Sequence, residues 1–292
     1  NQGHMDFQSI ALPTELRRQP YKDGKSIKIF KKQSFFRYCF KVYDLYLCPA
    51  LNLIIDIGNT STKVAIFENK NIIEETTDEL ENIAEKIQTI NETQQIKHCI
   101  ISSVVSNTGA FLAACQKHFP TILLSSETPI PISNLYQTPK TLGNDRLACA
   151  IALHTQFQNE NSLSIDLGTC IKYDFVDEKG IYQGGAISPG MQMRFKSLDT
   201  FTNQLPLVQP AELDNYIGKT TETSILSGVI NGIKSEINGI IDQYNADYGQ
   251  LKVVITGGDH KYFEKGLKNI TFADSLLVLK GLNEILEYNT KN

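Results

Sequence analysis

The chain contains no C-x-x-C pair and no H-x-x-x-H pair, and its six cysteines, Cys39, Cys48, Cys99, Cys115, Cys149 and Cys170, fall at irregular spacings. Neither a disulfide framework nor a zinc site is indicated, and a reducing cytosol is the expected compartment. No uninterrupted apolar stretch approaches the ~18 residues of a membrane span, so no membrane partner is expected. An excess of positive charge is also missing. The net charge of −4 argues against general affinity for nucleic acid. A P-loop is lacking as well: Gly218-Lys219-Thr220 has the right ending, but the motif would need glycine at the position of Leu213, and no buried strand leads into it. What remains is a chain of 292 residues, 41% hydrophobic, long enough for two domains with a core each.

The charge is unevenly placed. Residues 1–50 carry nine Lys/Arg against four Asp/Glu, a local +5 that leaves the remainder at −9. Asn1 to Met5 resembles an expression-tag remnant, and the stretch to Pro49 mixes aromatics with lysines without clean periodicity. It is not a signal peptide, because no apolar h-region survives its charges. We read 1–50 as a basic extension outside the core; the other reading is a basic arm for a membrane surface or a partner.

From Leu51 onward the pattern is regular. Asp56-Ile57-Gly58-Asn59-Thr60 and Asp166-Leu167-Gly168-Thr169-Cys170 are near copies, each between two apolar runs. Leu53–Ile57 with Lys63–Phe67, and Leu163–Leu167 with Ile171–Val176, read as two equivalent hairpins. A carboxylate at a strand end can hold a hydrated cation. The glycine lets backbone N–H groups approach an anion, and Asn59, Thr60, Ser61 and Thr169 add donors. One such turn is a weak signal; two in equivalent hairpins point to a nucleotide phosphate.

Around the hairpins, Thr76-Thr77-Asp78-Glu79 reads as a capping box opening a helix with Leu80, Ile83, Ile87 and Ile90 on one face. A strand at His98–Val105, a helix at Ser106–Phe119, a strand at Thr121–Ser125 and a loop at Pro129–Pro139 follow. Gly143-Asn144-Asp145-Arg146 opens a helix with Leu147, Ala150, Ile151, His154 and Phe157 inward. Helices near Met191–Phe201, Thr221–Tyr244 and Gly281–Tyr288 and a strand at Leu251–Thr256 complete the chain. Thr256-Gly257-Gly258-Asp259, directly after that strand, permits close backbone approach to a base or ribose. The alternation in two similar halves predicts an α/β fold of two lobes, 51–160 and 161–292, facing one cleft.

Six segments then carry a family resemblance: D-I-G-N-T-S-T-K at 56–63, Y-Q-T-P-K-T-L-G-N-D-R at 136–146, D-L-G-T-C-I-K-Y-D-F-V at 166–176, G-G-A-I-S-P-G at 184–190, T-E-T-S-I-L-S-G at 221–228 and V-V-I-T-G-G-D at 253–259. In that order they resemble the type III pantothenate kinases, a branch of the sugar kinase and actin superfamily, over residues 51–292. The resemblance implies two ribonuclease-H-like lobes, a duplicated actin-like ATPase fold around a nucleotide cleft. It implies transfer of the γ-phosphoryl group of ATP to the primary hydroxyl of pantothenate, giving 4'-phosphopantothenate in the first step of coenzyme A biosynthesis, by a cytoplasmic homodimer.

Residue by residue, the resemblance makes Asp145 the general base. It assigns ATP to Asp56, Ile57, Gly58, Asn59, Thr60, Ser61, Thr62, Lys63, Thr169, Gly257 and Gly258. Pantothenate falls to Tyr136, Gly143, Asn144, Asp145, Arg146 and Thr221, with Arg146 suited to the carboxylate. Mg²⁺ would enter with ATP, near Asp56 through water, and Asp166 would ligate a monovalent cation, potassium or ammonium.

One residue departs from the family, which usually has a small hydroxyl side chain where this chain has Lys172. Pointing into the cleft, its ammonium would compete with the monovalent cation at Asp166 or neutralise phosphate charge; pointing to solvent, it would change little. In the long helix, Leu226, Ile230, Ile233, Ile237, Ile241 and Tyr244 make one apolar face beside a bare strip at Gly228, Gly232 and Gly239, which suits packing within the lobe or a subunit contact. Leu51 stands where the family has its initiator methionine, so residues 1–50 are expected to be dispensable. Two other readings stay open. Another phosphotransferase or phosphohydrolase of the superfamily would keep both hairpins without the 136–146 segment, and a non-catalytic nucleotide-binding regulator would tolerate loss of Asp145.

Overall fold

Leu53, Ile54, Ile55 and Ile57 are buried almost completely, so strand β1 (Leu51–Ile57) is covered on both faces. A strand reads as an unbroken apolar run when both of its sides are packed. The computed structural model describes residues 51–105, 108–212, 216–264 and 266–291. The basic extension at 1–50, and everything expected of it, lies outside the described residues.

β1 is the centre of the first sheet. It pairs antiparallel with β2 (Thr62–Glu68) and parallel with β4 (Ile96–Ser103); β3 (Asn71–Asp78) and β5 (Thr121–Leu123) add the edges in the order β3-β2-β1-β4-β5. The second sheet repeats this plan. β7 (Ser162–Leu167) pairs antiparallel with β8 (Cys170–Val176) and parallel with β10 (Lys252–Thr256), flanked by β9 (Ile181–Pro189) and β11 (Phe272–Ala273). A short strand, β6 (Ser133–Asn134), joins the outside of β9. The duplication read from the two hairpins therefore extends to both sheets.

Strand alternation decides what each face packs against. Leu53, Ile55 and Ile57 meet Ile83 and Ile87 of α1 (Leu80–Thr93) and Phe111 and Cys115 of α2 (Gly109–His118). Leu163, Ile165 and Leu167 meet α4 (Met191–Phe201) and the long α5 (Thr221–Tyr248) in the same way. The other faces share one core, in which Ile54 and Phe67 of the first sheet and Val176 and Val254 of the second enclose α3 (Asn144–Gln156) and α7 (Leu277–Thr290), the short α6 (His260–Phe263) following β10. Helices α3 and α7 pack at very short range. A Cβ on Gly281 of α7 would overlap the backbone of Ala148, so glycine is required there. Two elements cross the 160/161 division: β6 joins the second sheet, and α7 packs on β1 and β4 of the first.

Several sequence expectations need correction. The Thr76–Glu79 capping box does not form: Thr76 and Thr77 belong to β3, and Asp78 Oδ1 instead accepts from the Glu79 N–H and Asn82 Nδ2 at the start of α1. β3 and β9, the third strand of each sheet, are strands beyond those the sequence pattern predicts, and β6 lies inside the expected Pro129–Pro139 loop. α2 begins at Gly109, three residues beyond the expected start, and α5 runs on to Tyr248. His154 is only half-buried on α3, its ring lying against the turn at Gly180. Among the described residues, no helix is long and apolar enough to cross a membrane.

Candidate active site

The two Asp-Gly turns occupy equivalent places. Asp56 ends β1 and faces Lys63 across the β1–β2 ladder; Asp166 ends β7 and faces Lys172 across the β7–β8 ladder. Gly58 N–H donates to the Ser61 carbonyl at 3.1 Å to close the first turn, and Gly168 N–H donates to the Cys170 carbonyl at 3.2 Å in the second. Asn59, Thr60 and Thr169 stand exposed at the tips.

Asp56 is level with Ser102 in the parallel β1–β4 register, and Ser102 Oγ donates to its Oδ1 at 2.9 Å. Burial pushes the Asp56 carboxyl up to about 6; the Ser102 hydrogen bond and Lys63 pull it down, while the charges of Asp145 and Asp166 push it further up. Carboxylates from both sheets and from α3 thus converge on one region. Such an excess of negative charge suits a site that is completed by a cation.

Asp145 lies in the first turn of α3, where the helix dipole favours an anion. Gly143 is the N-cap, and Asp145 Oδ1 accepts from the Arg146 backbone N–H at 2.9 Å. Asn144 Nδ2 donates to the Leu124 carbonyl at 3.4 Å. Lys172 comes from β8 into the same place: its Nζ is 2.5 Å from Asp145 Oδ2 and 2.6 Å from Asp166 Oδ2. Of the two orientations left open for Lys172, the structure has the one that points into the cleft. Burial works against its charge, but Asp166 and Asp145 together hold the ammonium well above the usual lysine range.

The Thr256–Asp259 turn lies directly on the second hairpin. Thr256 pairs in register with Asp166, and Asp259 N–H donates to the Leu167 carbonyl at 2.9 Å. Gly257 has φ +91°, and a Cβ there would strike both the Leu167 carbonyl and Asp166 Oδ1. Only glycine serves at that position. Gly258, by contrast, is exposed with open space around it.

Arg146 already has a carboxylate. Its Nε donates to Asp174 Oδ1 at 2.8 Å, and Tyr182 Oη donates to the same oxygen at 2.7 Å. Its guanidinium carbon sits 5.4 Å from the centroid of the Tyr136 ring, which itself stacks on Tyr182. Arg146 Nη2 is 2.8 Å from that same Asp174 oxygen, so the guanidinium is committed to Asp174 through Nε and Nη2. Thr221 stands apart. It is exposed in the first turn of α5, on a cavity of about 960 Å³ that is also lined by Arg194 and Lys219, and no contact among the described residues joins it to the Asp145 group.

Ser102 and Asp174 escaped the sequence reading. Asp174 carried a usable signal, since it follows Lys172 by two along β8 and shares its face. Ser102 carried none, because its level with Asp56 is set by the parallel pairing of β1 and β4.

Paired Asp-Gly hairpins on two sheets of one topology, with a helix-borne carboxylate beside them, make a site suited to phosphate and cation. A family profile described as type III pantothenate kinase matches residues 52–243. The type III pantothenate kinase of Bacteroides fragilis is 45% identical over 240 residues, covering 82% of this chain and 98% of the relative, and that of Christiangramia forsetii is 42% identical over 240 residues, covering 82% and 99%. The chain belongs to the type III pantothenate kinase family. The crystal structure of a conserved Baf-family protein from Campylobacter jejuni, titled as a transcriptional activator, superposes with a TM-score of 0.56 at 24% identity, covering 82% of this chain and all of that one, and supports the fold.

Proposed function

We propose that the protein transfers the γ-phosphoryl group of ATP to the primary hydroxyl of pantothenate, the first step toward coenzyme A, in the cytoplasm. The observation that carries this reading is the position of Asp145, at the start of α3 and in contact through Lys172 with the end of the second phosphate hairpin. A carboxylate there can accept a proton while the turns at 56–63 and 166–169 hold the nucleotide. The hydroxyl oxygen attacks the γ-phosphorus and its proton passes to Asp145. The bond from the γ-phosphorus to the bridging oxygen breaks, and ADP leaves.

Asp56, the half-buried carboxylate nearest the first turn, fits Mg²⁺ carried in with ATP. Among the described residues no three His, Cys, Asp or Glu side chains could hold a metal ion by themselves, so phosphate oxygens and water would complete its shell. When bound, Mg²⁺ supplies charge neutralisation at the phosphates. A monovalent cation on Asp166 does not fit in the same way, because Oδ2 of that carboxylate already carries the Lys172 ammonium.

Tyr136 and the backbone around Gly143 would line the pantothenate side, with Arg146, held by Asp174, supporting Tyr136. The homodimer belongs to the same reading. A Cβ on Gly228, Gly232 or Gly239 of α5 would meet nothing, which leaves a strip open to a second subunit. Incubation with ATP, Mg²⁺ and a panel of hydroxyl acceptors, with products identified by mass spectrometry, tests the activity. Phosphopantothenate is expected. Bare ATP hydrolysis would favour a phosphohydrolase, and binding without turnover a regulator.

A further inference from the structure

We propose that Lys172 is a built-in cation of this site: its ammonium takes the place beside Asp166 that a monovalent cation would fill, and it positions Asp145 at the same time. The assignment rests on the reading of Asp145 as the phosphotransfer base.

Geometry carries it. Nζ lies 2.6 Å from Asp166 Oδ2 and 2.5 Å from Asp145 Oδ2, and the three side chains keep only 19%, 12% and 23% of their exposure. Contacts of that length between mostly buried charges leave no room for a second cation between them. The other Asp166 oxygen is turned toward Gly257, where even a Cβ could not enter, so Oδ2 is the side of this carboxylate that meets the cleft. The place of Lys172 is fixed by the backbone, because residues 172 and 166 are paired across the β7–β8 ladder and so share one face of the sheet. Asp56 and Lys63 are paired at the corresponding point of the first hairpin.

Chemistry agrees with the geometry. An ammonium has the charge of potassium and three N–H donors. Two of them are directed to Asp145 and Asp166, and the third is left for water or a phosphate oxygen. Unlike a dissolved ion, this charge is tethered and needs no recruitment. Replacing it by threonine would leave two carboxylates together without a counter-charge, a site that would take up potassium from solution.

The test titrates the wild-type protein and Lys172→Thr with KCl against choline chloride at constant ionic strength, following both pantothenate phosphorylation and thermal unfolding. Wild-type turnover and Tm are expected to stay flat across the titration. Without potassium, Lys172→Thr should lose about 10²-fold in kcat with KM for ATP little changed, as a misplaced catalytic group does. Potassium should restore its rate and raise its Tm, a shift the wild type does not show. A potassium requirement in the wild type would overturn the proposal, as would identical potassium titrations of the two proteins. The wild-type titration alone decides the matter if the variant does not fold. If pantothenate is not phosphorylated at any salt while the Tm shifts appear as expected, the substrate assignment fails and the Lys172 assignment stands.

Discussion

Arg146 and Asp174 form a buried ion pair that links α3 to β8, with Nε 2.8 Å from Oδ1 and the two residues only 4% and 1% exposed. Burial dominates even so: the Asp174 carboxyl is pushed up to about 6 although Arg146 touches it. Removing one partner would strand the other charge. Asp174→Ala should destabilise the protein by about 3–5 kcal/mol, whereas an Arg146→Met, Asp174→Leu double variant should cost less. Urea unfolding of the three proteins checks this, and a double variant as weak as the single one would argue against a stranded charge.

Asp145→Asn keeps the shape of the side chain and removes the base. Its turnover should fall by about 10²- to 10⁴-fold with the affinity for ATP nearly intact, because the phosphate turns are separate segments. Steady-state kinetics and calorimetric ATP binding give the two readouts. Near wild-type turnover would remove Asp145 from the role of base.

The state of Asp56 makes stability and activity oppose one another. Its folded value of about 6 lies above the ordinary 3.8, so the protonated form favours the fold. That contribution is complete below about 3.8 and is lost as pH rises through about 6. Asp56→Asn can still accept from Ser102 and escapes the loss. Relative to wild type it should be near neutral at about pH 4 and more stable by about 1–3 kcal/mol at about pH 7, while losing ATP-dependent activity. Urea melts across that range decide it, and a stability difference that does not change with pH would contradict the assignment.

Gly257 and Gly258 are neighbours with opposite expectations. Gly257→Ala forces a side chain to φ +91° against the Leu167 carbonyl, and it should cost about 1–3 kcal/mol of stability and weaken ATP binding. Gly258→Ala meets nothing and should leave the melting temperature unchanged. Thermal melts with and without ATP separate the two, and equal losses in both variants would mean that the backbone at Gly257 does not need glycine.

Local chemistry explains which parts could be read in advance. Asp56, Asp166 and Gly257 announce themselves because strand ends, turn glycines and apolar runs are written in contiguous residues, and the helix that presents Asp145 begins where Gly143 allows it. β3 and β9 are less legible because both are incompletely covered: Glu74 and Glu75 in β3 and Gly185 to Ile187 in β9 are exposed and give no clean alternation.

The sequence by itself determined the duplication, the two phosphate turns and the helix that carries Asp145, since each depends on residues within a few positions of one another. Only the tertiary structure decided the partners. Arg146 could have met a ligand or a neighbour, and it meets Asp174 because α3 packs on β8; Lys172 could have faced solvent, and hairpin register together with the approach of α3 places it between Asp145 and Asp166. Ion pairs between segments that are distant in the chain depend on how sheets and helices stack, and no local pattern of residues encodes that distance.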